Sequence, residues 1–428
     1  MKRFCGLVLV FFVGIASNSF AQDTNLILVG WPYQVDTVKE NLQRFTTQNP
    51  GIGATFNPLP SESYADKMAI SFVGKTKFDV VTVRNESFAQ WAAAKWIVPI
   101  DGLPGVKDYV SDLPASIVSQ LSYEGHLYGL PYYMGIQALA YNKKHLKAAG
   151  LTKVPGTWAE LLVAAKAIKD KKIVEFPIVL QLKKGQNLIE TLETLTIANG
   201  GRVIDDKNEP QFTDPKGGFQ AALQWIRTGL DQGLIDPASL SYDDHAAVAS
   251  MSAGTSTFTF GTDYNIKAMN DPEKSTQTGN IINGLIPGNE KVRSGTSNSV
   301  RFYSIAASST HKDQAWKLLQ FLGGKDATGK YFVSTRWATQ FGLGFAYTSM
   351  YKDPEIVKAY GDWLDLDIEK EQTKYAVARP YRFTPWFQAW STDALGTFHS
   401  LVSETTKETS APLAELAKKW KSLQGQYK

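Results

Sequence analysis

The sequence predicts an α/β protein of two lobes, each a mostly parallel sheet flanked by helices. Three observations lead there. Short apolar runs of strand length alternate with stretches of helical periodicity along the chain. Several of those stretches open on capping signals. A chain of 428 residues usually divides its core between two domains.

The first element lies outside that fold. Lys2 and Arg3 precede an apolar run over residues 4–16, and small residues lead to Ala21. A basic start, an apolar stretch and an A-x-A-like site predict a signal peptide over 1–21, with the mature chain starting at Gln22. The run is about a dozen residues, short of the roughly 20 needed to span a bilayer. Cys5 is the one cysteine, so the mature chain is expected to have no disulfide and no cysteine metal ligand.

Residues 25–30 read as a buried strand ending at Trp31. Val35, Val38, Leu42 and Phe45 then repeat at helix spacing. Residues 78–83, 138–141, 176–180, 257–260 and 303–307 read as further strands. Thr157 and Glu160 form a capping box for a helix whose apolar face is Leu161, Leu162, Ala165 and Ile168. Asp214 before Pro215 predicts a helix start, with Gly233 beyond its end. Thr310 opens another helix, closed by Gly323 and Gly324. Ser410 and Pro412 open the last. Trp158, Trp225, Trp316 and Trp420 fall within helical repeats and read as packing residues.

Composition excludes several classes. The formal charge is +4, or +2 without Lys2 and Arg3, and no basic run suggests nucleic acid. The five histidines, at 126, 145, 245, 311 and 399, show no close pairing for a metal. No P-loop, G-x-S-x-G or H-E-x-x-H pattern is present. Ligands of open α/β sheets collect beyond the carboxyl ends of strands. That rule selects Trp31 and Tyr33, then Arg84, Asn85 and Glu86, then Asp263 and Tyr264.

The stretch Tyr123-Glu124-Gly125-His126-Leu127-Tyr128-Gly129-Leu130-Pro131-Tyr132-Tyr133 resembles extracellular solute-binding proteins of the maltose-binding type. Tyr141-Asn142-Lys143, then Pro155, then Thr157-Trp158-Ala159-Glu160-Leu161 match that family's most specific pattern. Phe78-Asp79-Val80-Val81, Ala198-Asn199-Gly200-Gly201 and Tyr303-Ser304-Ile305-Ala306 follow in the family's order. The resemblance implies a type II periplasmic-binding-protein fold. Lobe one would hold 22–135 and 285–324; lobe two would hold 136–284 and 325–428. It implies a monomeric periplasmic receptor, without cofactor or catalysis, that closes on a carbohydrate and delivers it to the membrane subunits of an ABC importer.

A sugar site needs flat aromatic surfaces for C–H faces and planar polar groups for hydroxyls. On the family template the candidates become Trp31, Tyr33, Gln34, Arg84, Asn85, Glu86, Tyr133, Asp263, Tyr264, Arg301, Arg336, Trp337 and Trp386, with no metal ligand. Trp390 serves the site or the core equally well. Two alternatives stay open. Arg84, Arg301, Arg336 and Arg379 would suit an acidic sugar or a phosphorylated or sulfonated polyol. Glu62, Glu86, Glu190 and Asp263 include carboxylates that a secreted glycosidase could pair.

Overall fold

A computed structural model describes residues 24–427 apart from 62 and 362. The expected signal peptide, the start at Gln22 and Glu62 lie outside the described residues, as does the side chain of Glu86. Among the described residues no helix is long and apolar enough to cross a membrane.

The described strands are β1 Thr24–Gly30, β2 Ile52–Pro58, β3 Val80–Val83, β4 Ser122–Tyr123, β5 His126–Leu127, β6 Leu130–Asn142, β7 Phe258–Thr262, β8 Ile281–Gly284, β9 Thr296–Ile305 and β10 Ala376–Val377. The main sheet runs β2-β1-β3-β9-β6-β7, with β8 on β6 and β10 on β9. Its pairing is mixed. β1 pairs parallel with β2 and β3, and β10 with β9. β3–β9, β6–β9, β6–β7 and β6–β8 are antiparallel. The chain crosses from the first half to the second along β6 and returns along β9, so these two strands must run in opposite directions. Thirteen residues let β6 serve both halves. Its first part pairs with β9 through Leu130–Ile136, and its second with β7 and β8 through Gln137–Asn142.

Two apolar cores lie on either side of this crossover. The first gathers Leu28, Val81, Phe88, Phe302, Leu319 and their neighbours; the second gathers Leu139, Leu161, Leu192, Phe258, Trp390 and Trp420. Residues 331–364, expected in lobe two, contribute to the first core instead. Trp337 packs edge-on to Tyr132, Tyr331 stacks on Tyr347, and Tyr347 meets Tyr109. The same cluster extends to Ile266, Met269 and Ile281, so this segment spans both sides of the crossover.

Local signals mostly place the helices. The Thr157–Glu160 capping box forms and the helix runs Trp158–Asp170. Asp214 does not cap a helix. Its side chain accepts from the Lys216 amide in a turn, and the helix begins later, at Gly218–Asp231. Residues 176–180 form no strand. Ile178 makes single bridges to Ile235 and Phe258 and is fully buried between them. Trp158, Trp225, Trp316, Trp390 and Trp420 are all core residues.

Candidate functional site: a groove across the two cores

A groove of about 500 Å³ opens over β9. That volume falls within the roughly 300–1,000 Å³ of small-molecule pockets. Arg84 and Asn85, beyond the end of β3, form its wall on the first half. Gln186 and Glu190 project from the Gln186–Ala198 helix of the second half. Arg379, Arg382 and Phe383, on and beside the Pro380–Phe383 turn, and Phe387 and Gln388, at the start of the Phe387–Ser403 helix, complete that wall.

Ser299 and Arg301 of β9 form the floor. Their ladder partners on β6 are Gly135 and Tyr133. Directly opposed residues of an antiparallel pair share a face, so Tyr133 and Gly135 continue the floor. Gly135 has a local reason to be glycine. A Cβ there would lie 2.6 Å from Thr262 Cγ2 and 3.2 Å from the Tyr264 ring. The missing side chain lets Tyr264 lie across the crossover strand.

Arg84 is held by its surroundings. Its guanidinium lies 4.8 Å from the Trp31 ring centre and donates to Ser61 Oγ at 3.2 Å. Trp31 itself is half-buried against Tyr64 and Tyr132. Tyr33, Gln34 and Tyr264 line a wider hollow of about 1120 Å³ with Lys267 and Phe341. Burial raises the pKa of Tyr33, and the neighbouring Tyr133 raises it further. Burial also raises Tyr264, helped by Tyr133 and Glu190. Tyr264, which lines the hollow, thus lies beside Gly135 of the crossover strand.

The second wall rests on a buried charge network. Glu193 is 1% exposed and receives Arg379 Nη1 at 2.8 Å, Arg382 Nε at 3.1 Å and the Tyr381 hydroxyl. Arg382 Nη1 also reaches Glu190 at 3.1 Å. Burial works against the Arg382 charge, but Glu193 and Glu190 outweigh it and raise its pKa. For Arg379 burial prevails, aided by repulsion from Arg382, and its pKa is lowered. Both guanidiniums are thus paired with carboxylates of the same wall.

Several expected site residues lie elsewhere. Arg336 does not reach the groove; it clamps two helices by bonding Glu40, Asn41 and Gln340. Trp337 is buried between Tyr33, Tyr132 and Phe341. Trp386 packs on Trp420 and Tyr427, and the rings at the groove are Phe383 and Phe387. Asp263 turns inward, where its carboxylate accepts the Ile136 amide at 3.1 Å. Glu86 lies on the Asn85–Ala93 helix. Gln186, Ser299, Arg382, Phe383, Phe387 and Gln388 were missed as site residues. Only Phe383 and Phe387, flanking the Pro385-Trp386 pair, carried a usable aromatic signal.

The family model for bacterial extracellular solute-binding proteins matches residues 31–329. The chain belongs to that family. A mannitol-binding protein of Pseudomonas aeruginosa is 33% identical over 178 residues, 40% of this chain and 39% of that one. The fold is similar to that of a sugar-binding protein of Xanthomonas citri, with a TM-score of 0.79 at 19% identity, covering 94% of this chain and 98% of the other. It is also similar to an ABC transporter solute-binding protein of Agrobacterium vitis with bound D-mannitol, with a TM-score of 0.71 at 22% identity, covering 94% and 99%. The family is one of binding proteins, which disfavours the hydrolase alternative.

Proposed function

We propose that this member of the solute-binding family is a periplasmic receptor for a small neutral sugar or polyol, which it carries to the membrane subunits of an ABC importer. The carrying observation is a groove built from both halves and floored by the two crossover strands. Planar amide, guanidinium and carboxylate groups from both walls suit vicinal hydroxyls, and Phe383, Phe387 and Tyr133 offer apolar surface for C–H faces. One relative is named for mannitol and one similar structure holds D-mannitol, which supports a polyol-sized ligand. An acidic ligand is disfavoured because Arg379 and Arg382 are already paired with Glu193 and Glu190, and Arg336 with Glu40.

On this proposal residues 1–21 direct export and are removed, and the mature monomer hinges within β6 and β9. A ligand touching both walls favours the closed form through contacts that the open form lacks. A thermal-shift screen over neutral sugars, polyols and their acidic counterparts tests the reading. A neutral pentitol, hexitol or hexose is expected to raise Tm by mass action, with no product after prolonged incubation. A shift only with acidic ligands would contradict neutrality, and turnover would contradict a receptor.

A further inference from the structure

Behind the first wall, a short run of hydrogen bonds has a fixed polarity. Gln120 is buried and donates from Nε2 to the Ser116 carbonyl at 3.0 Å and to Asn298 Oδ1 at 2.7 Å. A backbone carbonyl only accepts, so the Gln120 amide cannot be turned round without setting oxygen against oxygen. Its Oε1 therefore faces Asn85, which must answer with nitrogen: Asn85 Nδ2 donates to Gln120 Oε1 at 2.9 Å. Asn298 completes the run by donating Nδ2 to Ser116 Oγ at 2.9 Å. Asn85 is thereby left with Oδ1 as its one side-chain polar atom without a partner. That oxygen is buried and has no hydrogen-bond partner, although Asn85 lines the groove. An unmet buried acceptor is costly, and supplying a donor recovers that cost.

We infer that Gln120, which does not line the groove, is a positioning residue: it fixes Asn85 with its oxygen as the unmet atom, so that the wall, in closing on a ligand, takes a hydroxyl donor at that point. The inference rests on the receptor reading and adds a rule of selection to it. A ligand carrying a hydroxyl there satisfies Oδ1. One carrying an acceptor alone leaves two oxygen-like atoms facing each other.

The test uses the mature protein and calorimetric titration. The probe is the tightest-binding neutral hexitol or hexose, with D-mannitol tried first, together with its monodeoxy and monofluoro analogues. Fluorine cannot donate, so one fluoro position is expected to weaken binding about tenfold or more, at least as much as its deoxy counterpart. Asn85→Leu should remove that discrimination. Gln120→Met should weaken the parent ligand in the wild-type background and have little further effect on Asn85→Leu, because it acts through Asn85. Fluoro analogues that all bind within about twofold of the parent would overturn the inference, and need no variant to fold. Equal effects of Gln120→Met in both backgrounds would overturn it too. Failure of every sugar and polyol to bind would instead remove the receptor reading on which it stands.

Discussion

Glu193→Ala is expected to destabilise the folded protein by about 3–5 kcal/mol, because it leaves the guanidiniums of Arg379 and Arg382 buried without their shared carboxylate. Few residues combine such burial with so many charged partners, and the Tyr381 hydroxyl loses its acceptor as well. Urea unfolding at neutral pH measures the loss. The network also joins parts of the chain distant in sequence: Glu193 sits on the Gln186–Ala198 helix, Arg379 precedes the Pro380–Phe383 turn and Arg382 lies within it, and Arg379 Nη2 reaches the Asn298 carbonyl on β9. Ligand affinity should therefore fall with stability, since the same groups shape the second wall. Replacing Glu193, Arg379 and Arg382 together by apolar residues of similar size should recover part of the stability but not the binding, because the penalty comes from unpaired charge. A loss below about 1 kcal/mol for Glu193→Ala would mean that water reaches the arginines and that the wall is not preformed.

The second large effect is one of pH. Asp263 and Glu369 are both 2% exposed and lie within hydrogen-bond reach of each other. Two ionised carboxylates are both acceptors, and Glu369 Oε2 has no donor partner, so the pair needs a proton. Burial pushes Asp263 up to about 7, against opposing bonds from the Ile136 and Tyr264 amides. Burial and then the Asp263 charge push Glu369 well above the usual carboxylate range. Tyr351 and Tyr360 face the pair and stay protonated at neutral pH.

The folded state therefore holds a proton that the unfolded chain releases near pH 4. Unfolding releases it between that pH and neutrality, so stability falls as pH rises through this window, by on the order of 3 kcal/mol. Glu369→Gln replaces the shared proton with an amide donor. Its Tm should vary less between pH 5 and 8 and exceed that of the wild type at pH 8. A wild-type Tm that rises over this range, or an unchanged slope in the variant, would contradict the pairing. Because Asp263 binds Ile136 in the crossover strand, the same proton stiffens the point where the chain changes halves.

How much of this was legible in the sequence depends on whether the signal was local. The Thr157–Glu160 cap needs only four residues, and it forms. The β1 strand and the helix after it follow from periodicity alone. The Asp214 start fails because an Asx turn offers the same side chain a competing partner. The 13-residue length of β6 was not visible, since its two parts are buried by different cores and read as separate apolar runs.

For the site, strand ends were the informative feature. Arg84 and Asn85, beyond β3, line the groove, whereas Asp263, beyond β7, turns inward. Arg301 and Tyr133, taken from the family template, lie within β9 and β6 and pair with each other at its floor. Residues taken from helices on the family pattern were less secure. Arg336, Trp337 and Trp386 lie on or beside helices where a shift of one position turns a side chain by about 100°, from groove to core. Gln186, Glu190 and Gln388 look like ordinary polar residues at the starts of helices, and only the packing of those helices against β9 and the Pro380–Phe383 turn places them.

On the proposed receptor reading, one solute touches both halves at once and draws them together about β6 and β9. Small-angle X-ray scattering of the mature protein, with and without a saturating neutral sugar or polyol, tests it most directly. The radius of gyration should fall when the ligand is added and recover when it is removed. A radius unchanged at full occupancy would contradict closure.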